Sequence, residues 1–276
     1  MDGKAYSFEF FPPRTPEGKQ KLRATWHELA RLKPRFFSCT YGAGGSTREG
    51  TLETVLDIIK AGHAAAPHIS CVASTREDIG TQLDRYKAHG IRHVVALRGD
   101  LPSGLASSGE LRYANELVAF IRQTSGDWFK IEVACYPEYH PQTRHADDEI
   151  RNFKRKVDAG ADAAITQYFY NFDAYQRFVD DARAADIRVP IVPGIMPIAN
   201  FSQLARFSEA CGAEIPRWMF LKLEGYRDDN ASIRAFGLDV VTSLCARLLE
   251  TGAPGLHFYT LNQAALSAEI WKRLGL

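Results

Sequence analysis

Apolar, β-branched and aromatic runs begin along the chain at Tyr6, Phe36, Ile69, His93, Ile131, Ala163, Pro190 and Leu256, each of a length that suits a buried strand. Between them apolar positions return at helical spacing. Leu52, Val55, Leu56 and Ile59 fall at i, i+3, i+4 and i+7, a single stripe that marks an outer helix. Start signals agree: Ser46 with Glu49, Ser74 with Glu77 and Asn200 with Gln203 each place a capping side chain three residues before a partner. Gly62, Gly90, Gly126, Gly160, Gly212 and Gly252 close helical patterns, where a left-handed residue is wanted. The pattern predicts eight strand–helix units in an α/β chain, and this length suits a closed (β/α)8 TIM barrel. A doubly wound open sheet would have fewer strands and a glycine-rich first turn. The last interval is the longest, which places an extra helical segment near residues 215–225, between the seventh and eighth strands. No linker interrupts the pattern, so residues 1–276 are expected to form a single barrel domain.

Composition narrows the function. At 45% hydrophobic and 24% charged the chain is globular, and 34 basic against 33 acidic residues leave a net charge of +1, no footprint for nucleic acid or an anionic membrane. Cys39, Cys71, Cys135, Cys211 and Cys245 never form CxxC, which argues against a zinc knuckle or a disulfide framework and for a reducing cytoplasm. MDGKAYSFEF lacks the apolar core of a signal peptide.

In a barrel, ligands meet the C-terminal ends of the strands, and here those ends carry chemistry: Glu9, Thr40, Asp100, Tyr136 with Glu138 and His140, Gln167, and Asn262. Period-two geometry puts Ser7, Glu9 and Phe11 on one face and Phe8 and Phe10 on the other. A desolvated Glu9 would have a raised pKa and serve as general acid near neutral pH; pairing with a neighbouring Arg or Lys is the alternative. Asp100 follows Arg98 at a spacing that puts both on one side of an extended chain, and pattern alone reads them as an internal ion pair. His68 and His140 lack close metal-ligand spacing, so no metal is expected. Asn152, Arg155 and Lys156 share one helical face, which can clasp a pyrophosphate at the barrel mouth without a glycine cradle.

Taken in order, FEFFPPR, TYGAGGS, APHISC, HVVALRGDLP, YPEYHP, KRKVDAGADAAITQYFY, PGIMPIANF and HFYTLN resemble the methylenetetrahydrofolate reductase family in its bacterial single-domain form, over essentially the whole chain. The resemblance implies a TIM barrel that holds FAD, is reduced by NADH or NADPH, and in a second step reduces methylenetetrahydrofolate to methyltetrahydrofolate. It implies that Glu9 is the general acid that opens the imidazolidine ring to an iminium cation, and that Asp100 tunes the flavin and favours that cation. Thr40, Tyr41, Ala43, His68, Arg98, Gly99, Ala114, Tyr136, His140, Asn152, Arg155 and Lys156 match the family's flavin contacts, as Asp100 does. Gln167 and Gln203 match folate contacts, although Gln203 also sits where a helix cap needs it. The chain departs from the family at Glu149, where aspartate is frequent near the flavin ribose or diphosphate, and at Gln263, where arginine is frequent. The second departure implies a weaker hold on the folate's glutamate tail, or its replacement by another cation such as Lys222. A homo-oligomer is usual in the family. Two rivals remain: a flavin barrel similar to proline dehydrogenase, and a non-catalytic barrel that stores flavin or folate.

Overall fold

The computed structural model describes residues 3–40, 48–100 and 109–276. Parallel strands alternate with helices: β1 (Ala5–Phe10), α1 (Pro16–Ala30), β2 (Phe36–Cys39), α2 (Arg48–Lys60), β3 (Ala65–Ser70), α3 (Arg76–Ala88), β4 (His93–Leu97), α4 (Ala114–Ser125), β5 (Lys130–Cys135), α5 (Ala146–Asp158), β6 (Ala163–Thr166) and α6 (Phe172–Ala184). They continue with β7 (Ile191–Val192), β8 (Gly194–Ile195), α7 (Phe201–Cys211), α8 (Arg217–Tyr226), α9 (Asn230–Glu250), β9 (Gly255–Tyr259) and α10 (Ala265–Arg273).

The sheet runs β7-β6-β5-β4-β3-β2-β1-β9-β8. Because β7 and β8 flank Pro193 in the chain, the two ends of this order are one stave, and the barrel is closed except for that break. The expected seventh strand is therefore two short pieces: proline has no N–H for the ladder. The carbonyl of Pro193 still accepts from His257 N at 3.0 Å, and Gly194 N donates to Thr166 Oγ1 at 2.9 Å. A side chain at 194 would not fit, since a Cβ there would lie 2.2 Å from the Thr166 carbonyl oxygen.

Outward-facing side chains form the main core between sheet and helices. Phe8 stacks on Phe258 at 5.3 Å and Phe10 on Phe37 at 5.6 Å. Full burial of each such ring contributes about 1.5–3 kcal/mol. Inside the barrel a smaller cluster of Phe36, Ala66, Val95 and Ile165 fills the axis. At its foot Glu132 is buried with His93 Nε2 at 3.1 Å and Lys130 Nζ at 2.5 Å.

The expected element starts fall within a residue of those observed, except that β3 begins at Ala65 instead of Ile69. The anticipated extra helix is α8. Asn200 caps α7 as expected, accepting from Gln203 N at 2.9 Å, and Gly212 ends that helix at φ 75°. The cap of α3 is Thr75, in a reciprocal box with Asp78, not Ser74 with Glu77. Ser74 is buried and takes a hydrogen bond from Arg48, so its hydroxyl is already engaged. Ser46 lies outside the described residues. Among those described, no helix is long and apolar enough to cross a membrane.

Candidate active site

Alternation along β1 sends Phe8 and Phe10 into the outer core and Ser7 and Glu9 into the barrel. In register, Ser7 stands beside His257 of β9, and Glu9 beside Ser38 of β2 and Tyr259 of β9. His257 is fully buried, with Nδ1 2.7 Å from Ser7 Oγ and Nε2 3.2 Å from Glu9 Oε2. His68 of β3 brings its Nε2 to 3.2 Å from the same carboxylate oxygen. That contact is close but not a directed hydrogen bond, and both ring nitrogens of His68 are buried without a hydrogen-bond partner among the described residues.

This arrangement reverses the sequence expectation for Glu9. Burial pushes its carboxyl up, but the positive field of the two imidazoles and the hydrogen bond with His257 more than offset this and bring it down to about 2. The partners are histidines, neither the isolated apolar pocket nor the Arg or Lys considered above. The Glu9 carboxyl is therefore held in its ionised form.

Glu9 and Asp100 share one opening: both line a cavity of about 520 Å³ at the C-terminal rim, with Thr40, His68 and Gln167. The Arg98–Asp100 ion pair is not found among the described residues. Arg98 instead donates to Gln142 Oε1 at 2.6 Å and to Gly99 O at 3.2 Å, leaving Asp100 exposed at the mouth.

A second compartment of about 630 Å³ shares Arg98, Asp100, Tyr136 and His140 with the first. Gly99, Ala114, Glu149, Asn152, Arg155 and Lys156 also line it, so ten of the expected cofactor contacts converge there. Tyr41 and Ala43 lie outside the described residues. The helix face behaves differently from the expected clasp. Asn152 and Arg155 are exposed and joined at 3.2 Å, whereas Lys156 is buried, donates to the Ala134 carbonyl at 2.5 Å and lies 5.9 Å from the Tyr136 ring centroid. Burial lowers the pKa of that ammonium. Glu149 is buried, and its Oε2 accepts from His140 N at 3.2 Å and from Thr143 Oγ1 at 2.9 Å, holding the loop after β5.

Other expected substrate contacts are not gathered in. Gln203 stands in the first turn of α7, and Gln263 is exposed in the turn after β9; neither lines the two compartments. Lys222, on α8, is exposed with its ammonium over Tyr226 at 5.5 Å, so it does not stand in for an arginine at the mouth. Asn262 is a staple: its Oδ1 accepts from Phe11 N at 3.0 Å and its Nδ2 donates to Phe11 O at 2.9 Å.

Sequence reasoning missed His257 and Tyr259. The signal was present in HFYT, whose alternation sends those two side chains inward beside Ser7 and Glu9. Tyr259 closes the cavity floor, donating to the Thr166 carbonyl at 2.8 Å. It missed the use of Glu138 too, whose Oε2 accepts from Glu214 N at 2.7 Å and whose carboxyl burial pushes up to about 7.

Residues 2–275 match the family model described as methylenetetrahydrofolate reductase. The chain is 42% identical over 271 residues to the 5,10-methylenetetrahydrofolate reductases of Salmonella typhimurium and Escherichia coli, covering 98% of this chain and 90% of each relative. It is 38% identical to an Arabidopsis thaliana protein named methylenetetrahydrofolate reductase (NADH) 1, covering 99% of this chain and 48% of that one. In three dimensions it is similar to a Clostridium thermocellum protein described as binding two copies of 5-methyl-5,6,7,8-tetrahydrofolic acid, with TM-score 0.66, 16% identity and coverage of 97% and 93%. At that identity the likeness speaks for the fold alone.

Proposed function

The chain belongs to the methylenetetrahydrofolate reductase family, and on that footing we propose that it reduces methylenetetrahydrofolate to methyltetrahydrofolate with electrons from NADH or NADPH passed through FAD. The observation that carries this reading is the convergence of Glu9 and Asp100 on one cavity whose neighbour is lined by the expected cofactor contacts. It favours the folate reaction over a proline-dehydrogenase-like one, which has no need of a carboxyl at position 9.

The residues fit a flavin dinucleotide. His68 offers a buried Nδ1 with no hydrogen-bond partner among the described residues, and Arg98, Arg155 and Lys156 supply cations to the compartment that Tyr136 also lines. When bound, FAD supplies the hydride. The chain supplies the rest: Asp100 places a negative charge at the mouth where positive charge develops on the substrate, and the Glu9 cluster supplies the proton for the anilino nitrogen.

The test is spectroscopic and kinetic. Purified protein is expected to carry a yellow flavin that either NADH or NADPH bleaches anaerobically, and methylenetetrahydrofolate to reoxidise it. Glu9→Gln is expected to preserve the first step and abolish the second. Colourless protein that binds no added FAD, or equal loss in both steps, refutes the reading.

A further inference from the structure

Glu9 is asked to give up a proton, yet its surroundings favour the ionised form, which turns attention to the groups in contact with it that can hold and return a proton. Two imidazoles touch the carboxylate, and they differ. His68 faces the cavity and makes no directed hydrogen bond among the described residues. His257 is wholly buried, and both of its ring nitrogens are engaged, Nδ1 with Ser7 Oγ at 2.7 Å and Nε2 with Glu9 Oε2 at 3.2 Å. Ser7 is itself buried and stands beside His257 in the parallel register, so this contact is fixed by strand pairing and not by a mobile rotamer.

We propose that His257, oriented by Ser7, is the proton store behind Glu9: its Nε2 holds the proton that Glu9 passes to the anilino nitrogen of the substrate. This rests on the folate-reducing reading above. Ser7 Oγ accepts from Nδ1–H, which fixes the tautomer and leaves Nε2 to carry the mobile proton toward the carboxylate. In the step, the Nε2–H bond breaks and a Glu9 O–H bond forms; that bond breaks in turn as the N–H bond forms on the substrate. Imidazolium, carboxylate and neutral substrate thus become neutral imidazole, carboxylate and a substrate cation, and charge is conserved. After product leaves, Glu9, whose side chain keeps 17% exposure, takes a proton from water in the cavity and returns it to Nε2.

The other titratable neighbours do not offer the same path. From β2 the Cys39 thiol is fully buried and pushed far up, and from β9 the Tyr259 hydroxyl is likewise raised and committed to the Thr166 carbonyl. His68, on β3, lies close to Glu9 but has, among the described residues, no second group to fix its tautomer. Phe36 lies between His257, at 6.3 Å, and His93, at 4.3 Å, and separates this cluster from the ionic group at the barrel foot.

Ser7→Ala and His257→Gln are the variants, with Ser7→Thr as the conservative rescue. Each is examined in the flavin-loaded protein by stopped flow, one half-reaction at a time, across pH 5.5–9. The expected result is a folate half-reaction slowed at least tenfold, with its dependence on pH displaced, while reduction by the nicotinamide stays within twofold; Ser7→Thr recovers most of the loss. An independent readout is the imidazole nitrogen spectrum of His257 in selectively labelled protein, where Ser7→Ala is expected to shift the tautomer away from Nδ1–H. An unchanged pH profile in Ser7→Ala, or a His257 spectrum identical to wild type, overturns the proposal even if His257→Gln fails to fold. Wild-type protein that never reduces methylenetetrahydrofolate overturns the reading beneath it, and the His257 spectrum still reports on the proton store.

Discussion

Glu132→Gln isolates one buried charge far from the mouth. The substitution keeps the shape of the side chain and removes the charge that His93 and Lys130 hold at 3.1 and 2.5 Å. Burial pushes this carboxyl up, but the imidazole and the ammonium outweigh it and bring it from 4.5 down to about 2. A group that titrates there in the fold and at its ordinary value in the unfolded chain contributes about 3 kcal/mol at neutral pH, since a tenfold change in proton affinity is worth about 1.4 kcal/mol. The folded pKa is the lower one, so this stability is complete above pH 4.5 and is lost as pH falls toward 2. By pH 3.5 the same linkage removes about 1.4 kcal/mol of it. Urea unfolding of wild type and Glu132→Gln, followed by far-UV circular dichroism, is the assay. The gap at pH 7 is expected near about 3 kcal/mol, and to narrow by about half at pH 3.5. Glu9 titrates alike in both proteins, so its contribution cancels. A gap that stays constant with pH refutes the argument, because the cost would then be packing and not charge.

Asp100→Asn removes the negative charge at the mouth and is expected to raise the potential of a bound flavin and slow the folate step; an unchanged potential in a redox titration contradicts the electrostatic role. Lys156→Met keeps the buried stem but leaves the Ala134 carbonyl without its donor, and is expected to weaken FAD retention at least tenfold in dilution or dialysis. Gly194→Ala places a Cβ 2.2 Å from the Thr166 carbonyl oxygen and 2.6 Å from the Tyr259 ring; it is expected to cost about 3 kcal/mol or more, read as a drop in Tm, while Gly80→Ala, which meets nothing within 4 Å, does not.

What the chain encodes locally was legible along its length. Runs, capping residues and closing glycines depend on a few neighbours, and so the strand–helix order, the extra helix α8 and the inward pair Ser7 and Glu9 could be read directly. Choices between equivalent local signals could not: Ser74 and Thr75 both begin capping patterns, and only the approach of Arg48 to Ser74 decides between them. Helical spacing gave Lys156 the right face but not its depth, which follows from how close α5 lies to β5. The proton state of Glu9 is the hardest case, because its sign is set by His257, 248 residues away, and by His68 on a third strand. Desolvation alone predicts an acid, and the closed barrel makes a carboxylate. The pairing of β1 with β9 fixes this outcome: Ser7 beside His257 puts Glu9 one step further toward the rim, within reach of Nε2. A slip of one residue along β1 would exchange Ser7 and Glu9 for Phe8 and Phe10 in the barrel interior, placing two rings against the histidines and both polar groups in the apolar outer layer. The same register that packs the outer core therefore sets the proton chemistry, and neither can shift without the other.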